Sequence, residues 1–273
     1  MEEEDMLMAV NVGNTRISVG FFDDASSIVK YKFEISTDIE KTPDEYFALV
    51  KTIVRESEFD MNGLQGGVVS SVVPQLTATI CEIVKRFTGT ESVLVGPGVK
   101  TGFPIRIDFP SELGGDMVAN AAAVVSKMKR ENNMRAAVVV DMSTVTTVSA
   151  INKQGEFVGC SIFPGVQMSL EALHGKTALL PNVAYAHQTR AIGRNSQESV
   201  LSGVMLGHAI TLDGFVLRFA KELREPVESL VLVITGEYAK CVAGLCRYDF
   251  EYDEELTLEG LYFIYQKSKE IKA

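Results

Sequence analysis

Two short polar turns and two acids are the residues of this chain whose types and spacing could do chemistry. The first turn is Val12-Gly13-Asn14-Thr15, headed by Asn11 inside an apolar run. Glycine lets a backbone approach a ligand closely, and neighbouring N–H groups with a threonine hydroxyl can converge on phosphate oxygens. A tight hairpin uses the same Gly-Asn pair for conformational reasons alone, and this turn by itself favours that plainer reading. The second turn lies in "DMSTVTT", Asp141 to Thr147, where Ser143 and Thr144 follow another apolar run. With two such turns in mirrored positions, a pair that grips a nucleotide polyphosphate is the better account. A third feature is Thr235-Gly236 at the end of a strand-like run, which would bring backbone close to a bound adenosine. It is also an ordinary strand-to-helix turn.

Asp141 ends a wholly apolar strand, where a carboxylate is costly unless it meets a cation or a set of donors. Its conformational alternative is an Asx turn over Ser143-Thr144. Asp116, in "ELGGDMVANAAA", stands where a helix should start. The local pattern favours a helix N-cap there. The chemical alternative is a base that takes a hydroxyl proton, with Gly114 and Gly115 letting the substrate come close.

Composition narrows the field. The chain has 273 residues, 46% of them hydrophobic and 23% charged, with a net charge of −10. An acidic protein without a basic run does not suit a nucleic-acid surface, whereas a small anion held by backbone amides needs no positive net charge. Cys81, Cys160, Cys241 and Cys246 lack metal-type spacing and sit in apolar contexts, and His174, His187 and His208 are scattered. Zinc and Cys-His chemistry are set aside. The start "MEEEDMLM" is acidic where a signal peptide is basic, and no apolar run reads as a membrane span, so the expectation is a cytoplasmic protein with no membrane partner.

These residues need strands that end in turns. Strands are expected at 7–12, 16–22 and 28–35, then a helix at 43–57, a strand from Gly66 to Val69, a helix at 75–88 and a strand at 92–96. A helix at 117–130 and a strand at 136–141 follow. Residues 137–159 then repeat the opening layout: strand, polar turn, strand, turn, strand. That echo predicts a duplicated α/β fold with a cleft between its halves. Beyond it come a helix after Pro164-Gly165, a polar loop at 174–199, a helix at 199–224, a strand at 229–236 and a helix at 256–269.

Together the motifs resemble type III pantothenate kinase: Gly-Asn-Thr near the start, "SSVVP", "TGFPIRIDFPSELGGDMVAN", "VVVDMSTVTT", "SIFPGVQMSLEALHGKTALLPNV" and "LTLEGL". The resemblance runs from about residue 8 to residue 265. It implies two related actin/ribonuclease H-like domains, residues 1–117 and 118–273, with mixed β-sheets flanked by helices and an ATP cleft between them. It implies phosphorylation of pantothenate, or a similar hydroxyl substrate, by a homodimer using ATP, Mg²⁺ and a monovalent cation, K⁺ or NH₄⁺. By motif, Asn11, Gly13, Asn14, Thr15, Thr144 and Gly236 would serve ATP, Asp141 the monovalent cation, and Asp116 catalysis. Gly114, Gly115, Met117, Ile107 and Ser196 would lie on the pantothenate side.

The departures from the family pattern cluster at those positions. Asn11 replaces the family's aspartate, Met117 an arginine, Ile107 a tyrosine, Phe109 an asparagine, Ser143 a glycine and Glu237 a glycine. An amide offers metal an oxygen without charge, and a thioether cannot replace a guanidinium fork. Two expectations follow: a pantothenate kinase, with reduced rate, or a catalytically impaired paralogue that binds nucleotide or partners another subunit.

Overall fold

A computed structural model gives the structure, which describes residues 5–24, 26–186 and 190–270. In chain order the elements are β1 (Met6–Val12), β2 (Arg16–Asp23), β3 (Val29–Ser36), α1 (Pro43–Glu56), β4 (Leu64–Ser71), α2 (Pro74–Thr88) and β5 (Val93–Leu94). Next come α3 (Gly115–Arg130), β6 (Ala137–Met142), β7 (Val145–Ile151), β8 (Phe157–Pro164) and α4 (Val166–Lys176). The chain ends with α5 (Ser196–Leu201), α6 (Gly207–Leu223), β9 (Val231–Thr235), α7 (Ala239–Ala243), β10 (Glu251–Tyr252) and α8 (Leu256–Lys269). His187 lies outside the described residues.

Two compact units result, and their division is not contiguous in sequence. Unit 1 takes the chain up to Phe103, then Asp108–Ser126, then everything from Glu255 on; unit 2 is Pro104–Ile107 with Lys127–Glu254. A single boundary at 117/118 would have assigned α8 and nearly all of α3 to the second domain. Packing explains their place: Gly260 of α8 lies directly on the Ala119 backbone of α3, and the Tyr265 ring occupies the space a side chain on Gly66 of β4 would need.

Each sheet has five strands. In unit 1 the order is β3-β2-β1-β4-β5, and in unit 2 it is β10-β9-β6-β7-β8. Read from the first strand of each half, the pattern is the same. The first strand pairs antiparallel with the second, the second antiparallel with the third, and a parallel strand lies on the other side of the first. The echo in sequence is therefore an echo in topology. β1 and β6 are central and nearly all buried, as their unbroken apolar runs require.

Helices cover the sheets by their apolar faces. α1 starts with a capping box, the Thr42 side chain accepting from Glu45 N–H while the Glu45 carboxylate accepts from Thr42 N–H at 2.8 Å. It buries Tyr46, Val50 and Val54, one per turn. Each large side chain so buried contributes about 1.5–3 kcal/mol. In unit 2, α5 and α6 join through a π-turn at Ser202–Leu206, so the expected helix at 199–224 begins three residues earlier, at Ser196. This joined helix, Ser196–Leu223, is long and apolar enough to cross a membrane by length and composition, which corrects the reading that no such run exists. Its apolarity has a local cause: Leu201, Val204, Met205, Ala209, Leu212 and Val216 belong to the core of unit 2.

Candidate functional site

In unit 1, polar residues gather at the carboxyl ends of β1 and β4, where open α/β sheets place their ligands. Asn11, next to last in β1, pairs in register with Ser18 of β2 on one side and Ser70 of β4 on the other. The Asn11 Oδ1 and Ser70 Oγ atoms are buried and find no hydrogen-bond partner among the described residues. A buried oxygen without a donor costs about 1–3 kcal/mol, so a partner from outside the protein has something to repay. Past Asn11 the chain turns tightly. Gly13 N–H donates to Arg16 O at 2.9 Å, and the Thr37 hydroxyl donates to Gly13 O at 2.7 Å. Asn14 and Thr15 are exposed at the tip.

The start of α3 is brought to the same edge by close backbone packing. An added Cβ on Gly115 would lie 2.6 Å from Ser70 Oγ, and one on Gly114 would lie 2.6 Å from the Asp116 carboxylate. A side chain on either glycine would meet the protein's own Ser70 or Asp116, so packing alone asks for glycine at both positions. Asp116 is also not the helix cap. Gly114 O accepts the first helical bond, from Val118 N–H at 3.1 Å, so Gly114 holds the cap position and Asp116 lies within the first turn. Its carboxylate accepts from Met117 N–H at 2.7 Å. Burial raises the Asp116 pKa above the usual carboxylate value, against the lowering pull of the Met117 and Asp116 N–H groups. A carboxyl that keeps its proton more readily at a helix N-terminus fits a group that exchanges protons. Met117 is turned into buried surroundings, only 6% exposed.

Unit 2 presents the matching edge. Asp141, next to last in β6, pairs in register with Thr147 of β7 and Thr235 of β9, as Asn11 pairs with Ser18 and Ser70. Asp141 is buried, and its carboxylate accepts from the Ser143 hydroxyl at 2.5 Å. The turn that follows carries half-buried Thr144, and beyond it Thr146 Oγ1 is buried with no partner among the described residues. Gly236 has φ +100°, and a Cβ there would lie 2.6–2.8 Å from the Met142 backbone. Only glycine allows β9 to end so close to the second turn. Glu237, in place of a second glycine, is exposed.

The remaining predicted residues are more scattered. Ile107 is half-buried and Phe109 is 65% exposed, both in the stretch before α3. Ser196 is exposed in the first turn of α5, which Asn195 caps by accepting from Glu198 N–H at 2.9 Å. Sequence reasoning gave no individual role to Ser70 or Thr146, and named Thr235 only together with Gly236. Its available signal was the run of hydroxyl residues at strand ends, Ser70-Ser71 and Thr235, each before a turn.

A metal test follows from the donor set. No group of three or more His, Cys, Asp or Glu side chains that could hold an ion occurs among the described residues. An ion that keeps waters and takes most ligands from phosphate oxygens needs only one or two protein oxygens. Asn11 Oδ1 in unit 1 and the Asp141 carboxylate in unit 2 fit that need.

Comparisons with known proteins bear on the whole chain. A family model described as type III pantothenate kinase matches residues 7–218. Curated type III pantothenate kinases from Geotalea uraniireducens and Moorella thermoacetica are 36% and 35% identical, over 97% and 96% of this chain and 100% of each relative. The relative from Myxococcus xanthus is 36% identical over 96% of this chain and 99% of its own. Among solved structures, a conserved protein of the Baf family of transcriptional activators from Campylobacter jejuni is similar at TM-score 0.58, with 16% identity and 96% and 99% of the chains covered. MreB 5 of Spiroplasma citri, bound to AMPPNP, is similar at TM-score 0.51, with 10% identity and 99% and 98% covered. At such identities the likeness is one of fold. That fold is two mixed sheets flanked by helices, shared with MreB 5.

Proposed function

The chain belongs to the type III pantothenate kinase family, and we propose that it transfers the γ-phosphoryl group of ATP to the primary hydroxyl of pantothenate. The observation that carries the reading is Asp116: a half-buried carboxyl of raised pKa in the first turn of α3, whose neighbour Gly115 packs on Ser70, the strand partner of Asn11. In the proposed step the pantothenate oxygen forms a bond to the γ-phosphorus and the bond from that phosphorus to the β,γ-bridging oxygen breaks. Asp116 takes the hydroxyl proton and ADP leaves.

The family's other residues take their roles by position. The Gly13-Asn14-Thr15 turn offers backbone donors and a hydroxyl to phosphate oxygens in unit 1, and Thr144 does so in unit 2. Gly236 brings the end of β9 beside the second turn, on the nucleotide side. Asn11 would hold Mg²⁺ through its amide oxygen, directly or through water, and Asp141 would hold K⁺ or NH₄⁺. Bound with ATP, Mg²⁺ supplies neutralisation of phosphate charge. Gly114, Gly115, Met117, Ile107 and Ser196 are assigned to the pantothenate side; Gly114, Gly115 and buried Met117 would act there by shaping the ground under Asp116 rather than by direct contact. The protein works in this reading as a cytoplasmic homodimer.

The experiment is an ADP-release assay with ATP, Mg²⁺ and K⁺, run with and without pantothenate. Release that requires pantothenate supports the reading. Nucleotide binding without any pantothenate-dependent release would move the chain to the impaired-paralogue class.

A further inference from the structure

One contact network in unit 2 lies outside the residues used so far. The helix that begins at Ser196 passes through the π-turn into α6, and His208 is the second residue after that turn. Such turns break the regular ladder and are frequent at functional positions. The His208 ring is buried, 6% exposed, and lies 5.5 Å from the Phe163 ring. Its Nδ1 is 2.6 Å from Val204 O in the π-turn, and its Nε2 is 3.0 Å from Pro164 O at the end of β8. Both acceptors are carbonyls, and an imidazole with one N–H donates to one of them at a time.

Pro164 O belongs to the peptide unit whose other end is Gly165 N–H. That N–H donates to Thr144 O at 3.3 Å, and a Cβ on Gly165 would lie 2.5 Å from the carbonyl oxygens of both Ser143 and Thr144. The Gly165 carbonyl is held in turn by Ser169, through its N–H at 2.9 Å and its hydroxyl at 2.8 Å. The Ser143-Thr144 turn therefore rests on the Pro164–Gly165 peptide, and His208 holds the carbonyl end of that same peptide. Hydrogen bonds chained through one peptide group polarise and orient one another.

We infer that His208 is a positioning residue for the second phosphate turn: its Nε2–H orients the Pro164–Gly165 peptide, which seats Thr144. The same ring ties that turn to the helix that starts at Ser196. The inference rests on the reading above that the Thr144 turn binds ATP.

Two variants separate positioning from bulk stability. Glutamine carries its amide nitrogen at the reach of Nε2, and asparagine at the reach of Nδ1. H208Q keeps the donation to Pro164 and gives up Val204, while H208N does the reverse. Calorimetric ATP binding to the full chain should be within about twofold of wild type for H208Q and about tenfold weaker for H208N. Both variants should melt at similarly lowered temperatures, and in turnover H208N should raise KM for ATP and leave KM for pantothenate unchanged. Affinities that are equal in the two variants, or that follow melting temperature alone, overturn the inference. If H208N does not fold, H208Q against H208M decides, since methionine fills the space and donates nothing. A wild-type chain that binds ATP without turnover would sink the kinase reading and leave this comparison decisive. One that binds no ATP overturns the inference with the nucleotide assignment.

Discussion

Asp116 sits where a carboxylate is useful and costly at once. Burial raises its pKa, so the folded chain holds this proton more tightly than the unfolded chain, whose value is near 3.8. By linkage the stability this group contributes is full below that unfolded value and is lost as pH rises through the raised folded value. D116N removes the ionising group and keeps an acceptor for Met117 N–H. It should therefore melt higher than wild type near neutral pH and lose that advantage in acid, while turnover falls about 10²–10⁴-fold. A D116N protein that melts no higher at neutral pH than wild type would contradict the burial argument. Asn11 poses the complementary question. N11D adds a charge to a hard-cation position and should lower the Mg²⁺ concentration for half-maximal rate about tenfold. A Mg²⁺ titration that does not move removes Asn11 from the metal's surroundings.

At the scale of elements, the site depends on how closely α3 approaches β4. G115A puts a methyl group 2.6 Å from Ser70 Oγ, so α3 or Ser70 must shift. The expected cost is about 1–3 kcal/mol in chemical denaturation, with kcat falling more than KM rises, because Asp116 moves with the helix start. A stable G115A of normal kcat would show that α3 has slack at that contact. Much of this layer was legible beforehand. The strand pairs around both turns, α1 from residue 43 and α8 at 256–269 follow from periodicity and start residues that act within a few positions. The π-turn at Ser202–Leu206 and the two-residue β10 were not legible. The first lies inside one continuous helical pattern with nothing in it to mark the turn, and the second consists of exposed Glu251 and Tyr252, which carry no apolar alternation. The Asp116 cap reading failed because Gly114, with no side chain to announce it, holds the cap position.

At the scale of the molecule, the chain is one strand order used twice. Asn11 and Asp141 hold the same register position in the two sheets, each flanked by hydroxyl residues on both neighbouring strands. That equivalence was foreshadowed by the repeated strand-turn-strand layout. The gathering of Ser70, Gly115 and Asp116 was not, since it depends on contacts between segments some 45 residues apart in the chain. The return of α8 to unit 1 was hidden for the same reason. The most direct test of the whole account is mass-spectrometric detection of phosphorylated pantothenate. Purified wild-type chain and D116N are each supplied with ATP, Mg²⁺, K⁺ and pantothenate. The account predicts phosphopantothenate and ADP in equal amounts from wild type and a loss of at least about 10²-fold with D116N. No phosphorylated product from a folded, ATP-binding wild type, or undiminished product from D116N, would contradict it.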